Sequence, residues 1–95
     1  MNNYTGTINI FKDTDQGNIE RIILPKDECD LLLGKLNEYF LQKDIIFTDY
    51  DSEIIEENDM DRFCDLLSVY KQKLPVLFSA ALLARDKSKT LMVNL

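Results

Sequence analysis

The fold class that this sequence predicts is α+β: a mostly antiparallel sheet with two helices packed on one face. Three observations lead there. β-Branched runs of strand length lie near both ends of the chain, and two longer segments between them repeat apolar residues at spacings of three and four. Ninety-five residues with 45% hydrophobic and 29% charged side chains give one core and hence one domain, 1–95, because a chain this short buries roughly 60–65% of its unfolded surface.

The first strand is expected over Tyr4 to Phe11. There Tyr4, Gly6, Ile8 and Ile10 share one side, and Thr5, Thr7, Asn9 and Phe11 the other. Turn formers fill Lys12 to Asn18, and Ile19 to Leu24 resumes with β-branched residues. That pattern predicts an antiparallel hairpin with a longer loop, Gly17 or Asn18 supplying any positive φ.

Pro25 ends the second strand, and Asp27 opens a helix that runs toward Lys43. Cys29, Leu32, Leu33, Leu36, Tyr39 and Phe40 form its apolar stripe. Asp27, Glu28 and Asp30 suit the positive end of the helix dipole, and Gly34 within the helix points to a close neighbour. Ile45 to Thr48 reads as a short strand. A second helix begins near Asn58 as N-cap, buries Met60, Phe63, Cys64, Leu67 and Tyr70, and stops at Leu74-Pro75.

Val76 to Ala84 carries two signals. Its Leu and Ala content favours helix, whereas Val76, Phe78 and the preceding proline favour strand. The Arg85 to Lys89 turn before Thr90 to Val93 tips the reading to a carboxyl-terminal hairpin, so the expected order is β-β-α-β-α-β-β. At a sheet edge, the run from Val76 would invite strand pairing between chains.

The net charge of −6 is unevenly distributed. Residues 1–48 hold five basic and eight acidic side chains, net −3; residues 49–65 hold one and eight, net −7; residues 66–95 hold five and one, net +4. An acidic balance disfavours direct nucleic-acid binding and anionic membranes, which both depend on lysine and arginine. The amino terminus does not read as a secretory signal, and no run approaches the roughly 20 apolar residues of a membrane span.

Chemistry finds little to work with. The sequence has no histidine, and Cys29 and Cys64 read as reduced core residues of a cytoplasmic protein rather than zinc ligands or a disulfide. The Asp13 to Asn18 and Asp49 to Glu53 spacings resemble the start of a calcium loop, but the turn glycine is misplaced in one and absent in the other, and both lack the bidentate carboxylate at position 12. Paired carboxylates for acid–base work are not selected by any spacing, and Cys64 lacks a base. The expectation is no enzyme, no cofactor and no metal.

What stands out is the acidic segment itself. Asp49, Asp51, Glu53, Glu56, Glu57, Asp59, Asp61 and Asp65 face one cation, Arg62, with Tyr50, Ile54, Ile55 and Phe63 among them. Such crowding costs stability through self-repulsion. Either it is a solvated loop leading into a helix, or it is a docking surface on which charge speeds encounter and Tyr50 and Phe63 add anchors. The cations Arg85, Lys87 and Lys89 read as a solvated turn.

A small, histidine-free acidic α+β chain with one carboxylate surface, Asp49 through Asp65, resembles the immunity proteins that accompany bacterial polymorphic toxins, including those of contact-dependent growth inhibition. The resemblance is one of overall character. It implies a cytoplasmic inhibitor that binds a basic, nuclease-like toxin domain through Asp49, Tyr50, Asp51, Glu53, Glu56, Glu57, Asp59, Asp61 and Asp65, as a monomer or weak homodimer. Two other readings stay open: a small regulatory or adaptor domain acting as a homodimer, and a DNA-mimicking inhibitor.

Overall fold

In a computed structural model, which describes residues 5–15, 17 and 19–95, strands β1 (Gly6–Phe11), β2 (Glu20–Leu24), β3 (Glu53–Ile55) and β4 (Thr90–Asn94) form one sheet in the order β2-β1-β4-β3. Every neighbouring pair is antiparallel. Helices α1 (Lys26–Leu33), α2 (Asn37–Leu41), α3 (Met60–Ser68) and α4 (Pro75–Asp86) complete the α+β domain. The hairpin of β1 and β2 matches expectation, with Gly6 opposite Leu24, Ile10 opposite Glu20 and Gly17 at φ 93°. Tyr4, placed in the first strand by sequence, and Asn18, the other turn choice, lie outside the described residues.

Alternation along each strand sends Ile8, Ile10, Leu24, Ile55, Leu91 and Val93 into the core, all at most 5% exposed. α4 lies across this side of the sheet and also packs on α3. It corrects the expected carboxyl-terminal hairpin, because Val76 to Ala84 is helix. Pro75 is the reason sequence misled: it occupies the first turn of α4, where a missing N–H costs nothing and a fixed φ helps. Ala80, Ala81 and Ala84 are fully buried, and their small side chains let α4 approach its neighbours closely.

The amino end of α4 is closed by a residue far away in sequence. Glu28 on α1 is 1% exposed, and its two carboxylate oxygens accept the backbone N–H groups of Val76 and Leu77, each at 3.0 Å. Two donors that a helix start leaves unpaired are thereby satisfied across the core. Burial pushes the Glu28 carboxyl above its ordinary value, against the opposing pull of those two N–H bonds.

The expected helix from Asp27 to Lys43 is instead two helices. Gly34 takes φ −114° and ψ −103°, outside the helical region, and ends α1. The Asn37 amide then donates to Leu32 O at 3.1 Å and Phe47 O at 3.0 Å. This bond pair also explains why Ile45 to Thr48 is not the predicted strand. Ile45 N–H caps α2 through Phe40 O, Ile46 N–H is held by Glu53 Oε2 at 3.0 Å, and Phe47 O is held by Asn37, so these groups are satisfied outside any ladder. Strand β3 forms later, within the acidic segment.

Two further corrections concern the ends of α3, which stops at Ser68 rather than at Leu74-Pro75. A 3-10 turn over Glu57–Asp59 leads into α3, so Asn58 is not its N-cap; Asp59 holds that position and makes no side-chain cap bond. α4 ends with Ser88 in the left-handed region, φ 54°, which lets Lys89 N–H reach Ala84 O at 2.9 Å. Ser88→Gly, free of the Cβ penalty at that φ, is expected to stabilise the fold by about 0.5–1 kcal/mol in urea unfolding. A lower midpoint would contradict this account of the helix end.

Candidate functional site

The acidic segment is folded around the outer edge of the sheet. β3 joins it to the core through three residues, with Glu53 opposite Val93, Ile54 opposite Met92 and Ile55 opposite Leu91. Only Ile55 is buried; Ile54, on the outward side, is 51% exposed. At the amino-terminal end of β3, Asp49, Tyr50, Asp51 and Ser52 make an exposed bend beside Asn94 and Leu95, where Ser52 Oγ bonds Asn94 Oδ1 and Ser52 N–H donates to Asp51 Oδ1 at 3.0 Å. Tyr50 is 85% exposed. At the carboxyl-terminal end, Glu56 is extended, and the 3-10 turn carries Glu57 and Asp59 toward the positive end of α3.

The nine sequence-chosen residues therefore do not form one patch. Asp49, Tyr50 and Asp51 stand at one end of the short strand and Glu56 and Glu57 at the other, the nearest two, Asp51 and Glu56, being up to about 17 Å apart along an extended chain. Glu53 lies between them, half-buried and committed to Ile46 N–H. Asp59 shares a narrow cleft with Asp44, Glu53 and Arg62, and the Arg62 guanidinium donates to Lys43 O at 2.8 Å. Asp61 lies 4.0 Å from Arg85, and Asp65 is exposed further along α3. Phe63, which the sequence offers both as part of the apolar face of α3 and as a second anchor, is 1% exposed and packs near Phe40, their ring centres 6.4 Å apart. It is core, not contact surface.

What the fold adds is a groove that sequence did not assemble. Glu56, Glu57, Ile54 and Asn58 meet Phe11, Asp13 and Thr90 around a space of about 400 Å³. β1 pairs with β4 so that Phe11 stands opposite Thr90, which carries Phe11 to the end of β3 and brings the Asp13–Asp15 turn alongside. Three carboxylates from two separate segments thus rim a floor containing Phe11 and Ile54. The signal was partly available, since the strand alternation already put Phe11 on the side away from Ile8 and Ile10; the pairing of the first and last strands was not.

The two cysteines are buried and free. Burial pushes both thiols upward, so each stays protonated and a weak nucleophile at neutral pH. Cys29 Sγ donates to Leu24 O, and it crowds Gly6, where an added Cβ would meet Asn94 O at 2.5 Å. Among the described residues, no three Cys, Asp or Glu side chains are gathered for a metal ion, and no helix is long and apolar enough to cross a membrane.

Of the carboxyl-terminal cations, Arg85 ends α4 between Asp61 and Asp86, and Lys87 pairs with Glu20 on β2. They bind the basic end of the chain to its acidic elements. Comparison with protein-family models, curated proteins and solved structures returned no significant match.

Proposed function

We propose that this chain is a protein-binding inhibitor, an immunity protein that neutralises a basic, nuclease-like toxin domain through its acidic edge. The observation that carries the reading is the groove of Asp13, Glu56 and Glu57 over Phe11 and Ile54. Exposed carboxylates attract a basic partner over a distance, and an apolar floor gives the aliphatic stem of its lysine or arginine a surface to cover. Asp49, Tyr50 and Asp51 extend the contact along the same edge, with Tyr50 as the aromatic anchor. Such a protein acts in the cytoplasm of the toxin-producing cell as a binder, without catalysis, cofactor or metal. The buried, protonated thiols are consistent with that.

The test uses the reading frame beside this gene. An immunity role expects that frame to encode a large toxin whose carboxyl-terminal domain stops growth when expressed alone, and expects co-expression of this chain to restore growth. The purified pair should associate about ten- to a hundredfold more slowly at high than at low ionic strength. Failure to protect, or an association rate indifferent to salt, would overturn the reading.

A further inference from the structure

The side of the sheet facing away from the helices carries two ordered rows of side chains and the start of a third. Ile23, Thr7 and Asn94 make the first; Arg21, Asn9, Met92 and Ile54 the second; Phe11 and Thr90 the third, in line with Glu56 just past β3. Ile23 is 58% and Ile54 51% exposed, and Phe11 and Met92 are half-buried. The rows join an exposed cation on the β2 edge to an exposed carboxylate beyond the β3 edge, with apolar side chains between. Arg21 Nε donates to Asn9 Oδ1 at 3.2 Å, which steadies the guanidinium over the sheet. Among the described residues no other bond engages Arg21, so its terminal amino groups remain as donors.

From this arrangement we infer that the open sheet face is a homodimer interface, closed by a second copy of the chain around a two-fold axis parallel to the strands. Charge decides both the occupant and the axis. With that axis, β2 of one copy lies over β3 of the other about 10 Å away, as packed sheets do. Arg21 of each copy then meets the Ile54–Glu56 edge of its partner, and Ile23 and Ile54 fall within the covered apolar band. Both ion pairs form together, because a two-fold contact is the same patch twice. An axis across the strands would stack β2 on β2 and set Arg21 against Arg21. The edge pairing that Val76 to Ala84 would invite as an edge strand is removed by α4, which leaves the face of the sheet as the self-association surface.

A charge-swap series followed by sedimentation equilibrium of this chain alone at low ionic strength tests the contact separately from the toxin reading: Ile54 and Glu56 also line the proposed toxin groove, Arg21 lies outside it, and self-association is read without any toxin. The wild-type chain should show a concentration-dependent monomer–dimer equilibrium. Arg21→Glu and Glu56→Arg should each raise the dimer dissociation constant at least about tenfold, and the double variant should return it to within about threefold of wild type. All three positions of the pair and its neighbour Ile54 are exposed, so circular dichroism should be unchanged. A wild-type chain that stays monomeric at every concentration, or a double variant no stronger than the single ones, overturns the proposal. So does Ile54→Lys dimerising as well as wild type. Amide protection of Ile23 by the basic partner in place of a second copy would assign the face to that partner and likewise overturn it.

Discussion

Glu28→Ala is expected to destabilise the fold by about 3 kcal/mol, a large share of the roughly 5–14 kcal/mol that a domain of 95 residues commands. The carboxylate is 1% exposed and accepts from Val76 N and Leu77 N, 48 and 49 positions along the chain. Removing it leaves two donors unpaired at the buried start of α4 and opens a cavity between α1 and α4; relief of the desolvated charge offsets part of this. The pH dependence has a definite sign. Burial is the dominant influence and raises the folded-state pKa above the ordinary glutamate value of 4.5. The folded form therefore holds the proton more tightly than the unfolded form. The linked contribution of Glu28 is fully present below 4.5 and is lost as pH rises through the folded value. Glu28→Gln removes this component, so the stability gap between wild type and Glu28→Gln should widen in favour of wild type as pH falls through that window. Urea unfolding of the three proteins from pH 4.5 to 7 checks both statements. An alanine variant as stable as wild type, or a gap independent of pH, would sink them.

The same residue shows where the fold was legible and where it was not. Local periodicity revealed β1, β2, the apolar faces of α1 and α3, and the core positions of both cysteines, because each depends on neighbours within a few residues. The break at Gly34 and the shift of the α3 N-cap from Asn58 to Asp59 are local failures, but the larger ones involve partners outside the local window. Val76 to Ala84 became helix because Glu28 and Pro75 together complete its first turn, and no local rule reports a cap supplied from another helix. Ile45 to Thr48 lost its strand because Asn37 and Glu53 satisfied its backbone groups. The acidic segment was visible as charge, but its division by β3, and the arrival of Phe11 and Asp13 at one end, required the β1–β4 pairing. Phe63 was legible locally, since the spacing that places it among carboxylates also places it on the apolar face of α3, where it is buried.

That division of the acidic segment selects which carboxylates a charge reversal should change. Reversing Asp51, Glu56 and Glu57 to lysine is expected to weaken association with the proposed basic partner by about a hundredfold or more, mostly through a slower on-rate and loss of its salt dependence. Glu53 should be left alone, because its carboxylate ties β3 to Ile46 N–H seven positions away at 3.0 Å and a lysine there would loosen the strand edge, whereas Asp51 accepts only from the exposed N–H of its neighbour Ser52, which water can replace. The three chosen side chains are exposed and sit within a stretch of net −7. Reversing them relieves self-repulsion, so the melting temperature should hold or rise. Glu57 begins the 3-10 turn before α3, where a negative charge suits the helix dipole, and its reversal subtracts at most about 0.5 kcal/mol from that gain. Stopped-flow association and thermal unfolding on the same preparations separate the two effects. If the triple variant still binds and protects as wild type does, the carboxylates only solvate the edge. If it unfolds instead, Asp51→Asn with Glu56→Gln and Glu57→Gln keeps side-chain shape while removing charge, and the partner's on-rate should still fall about tenfold.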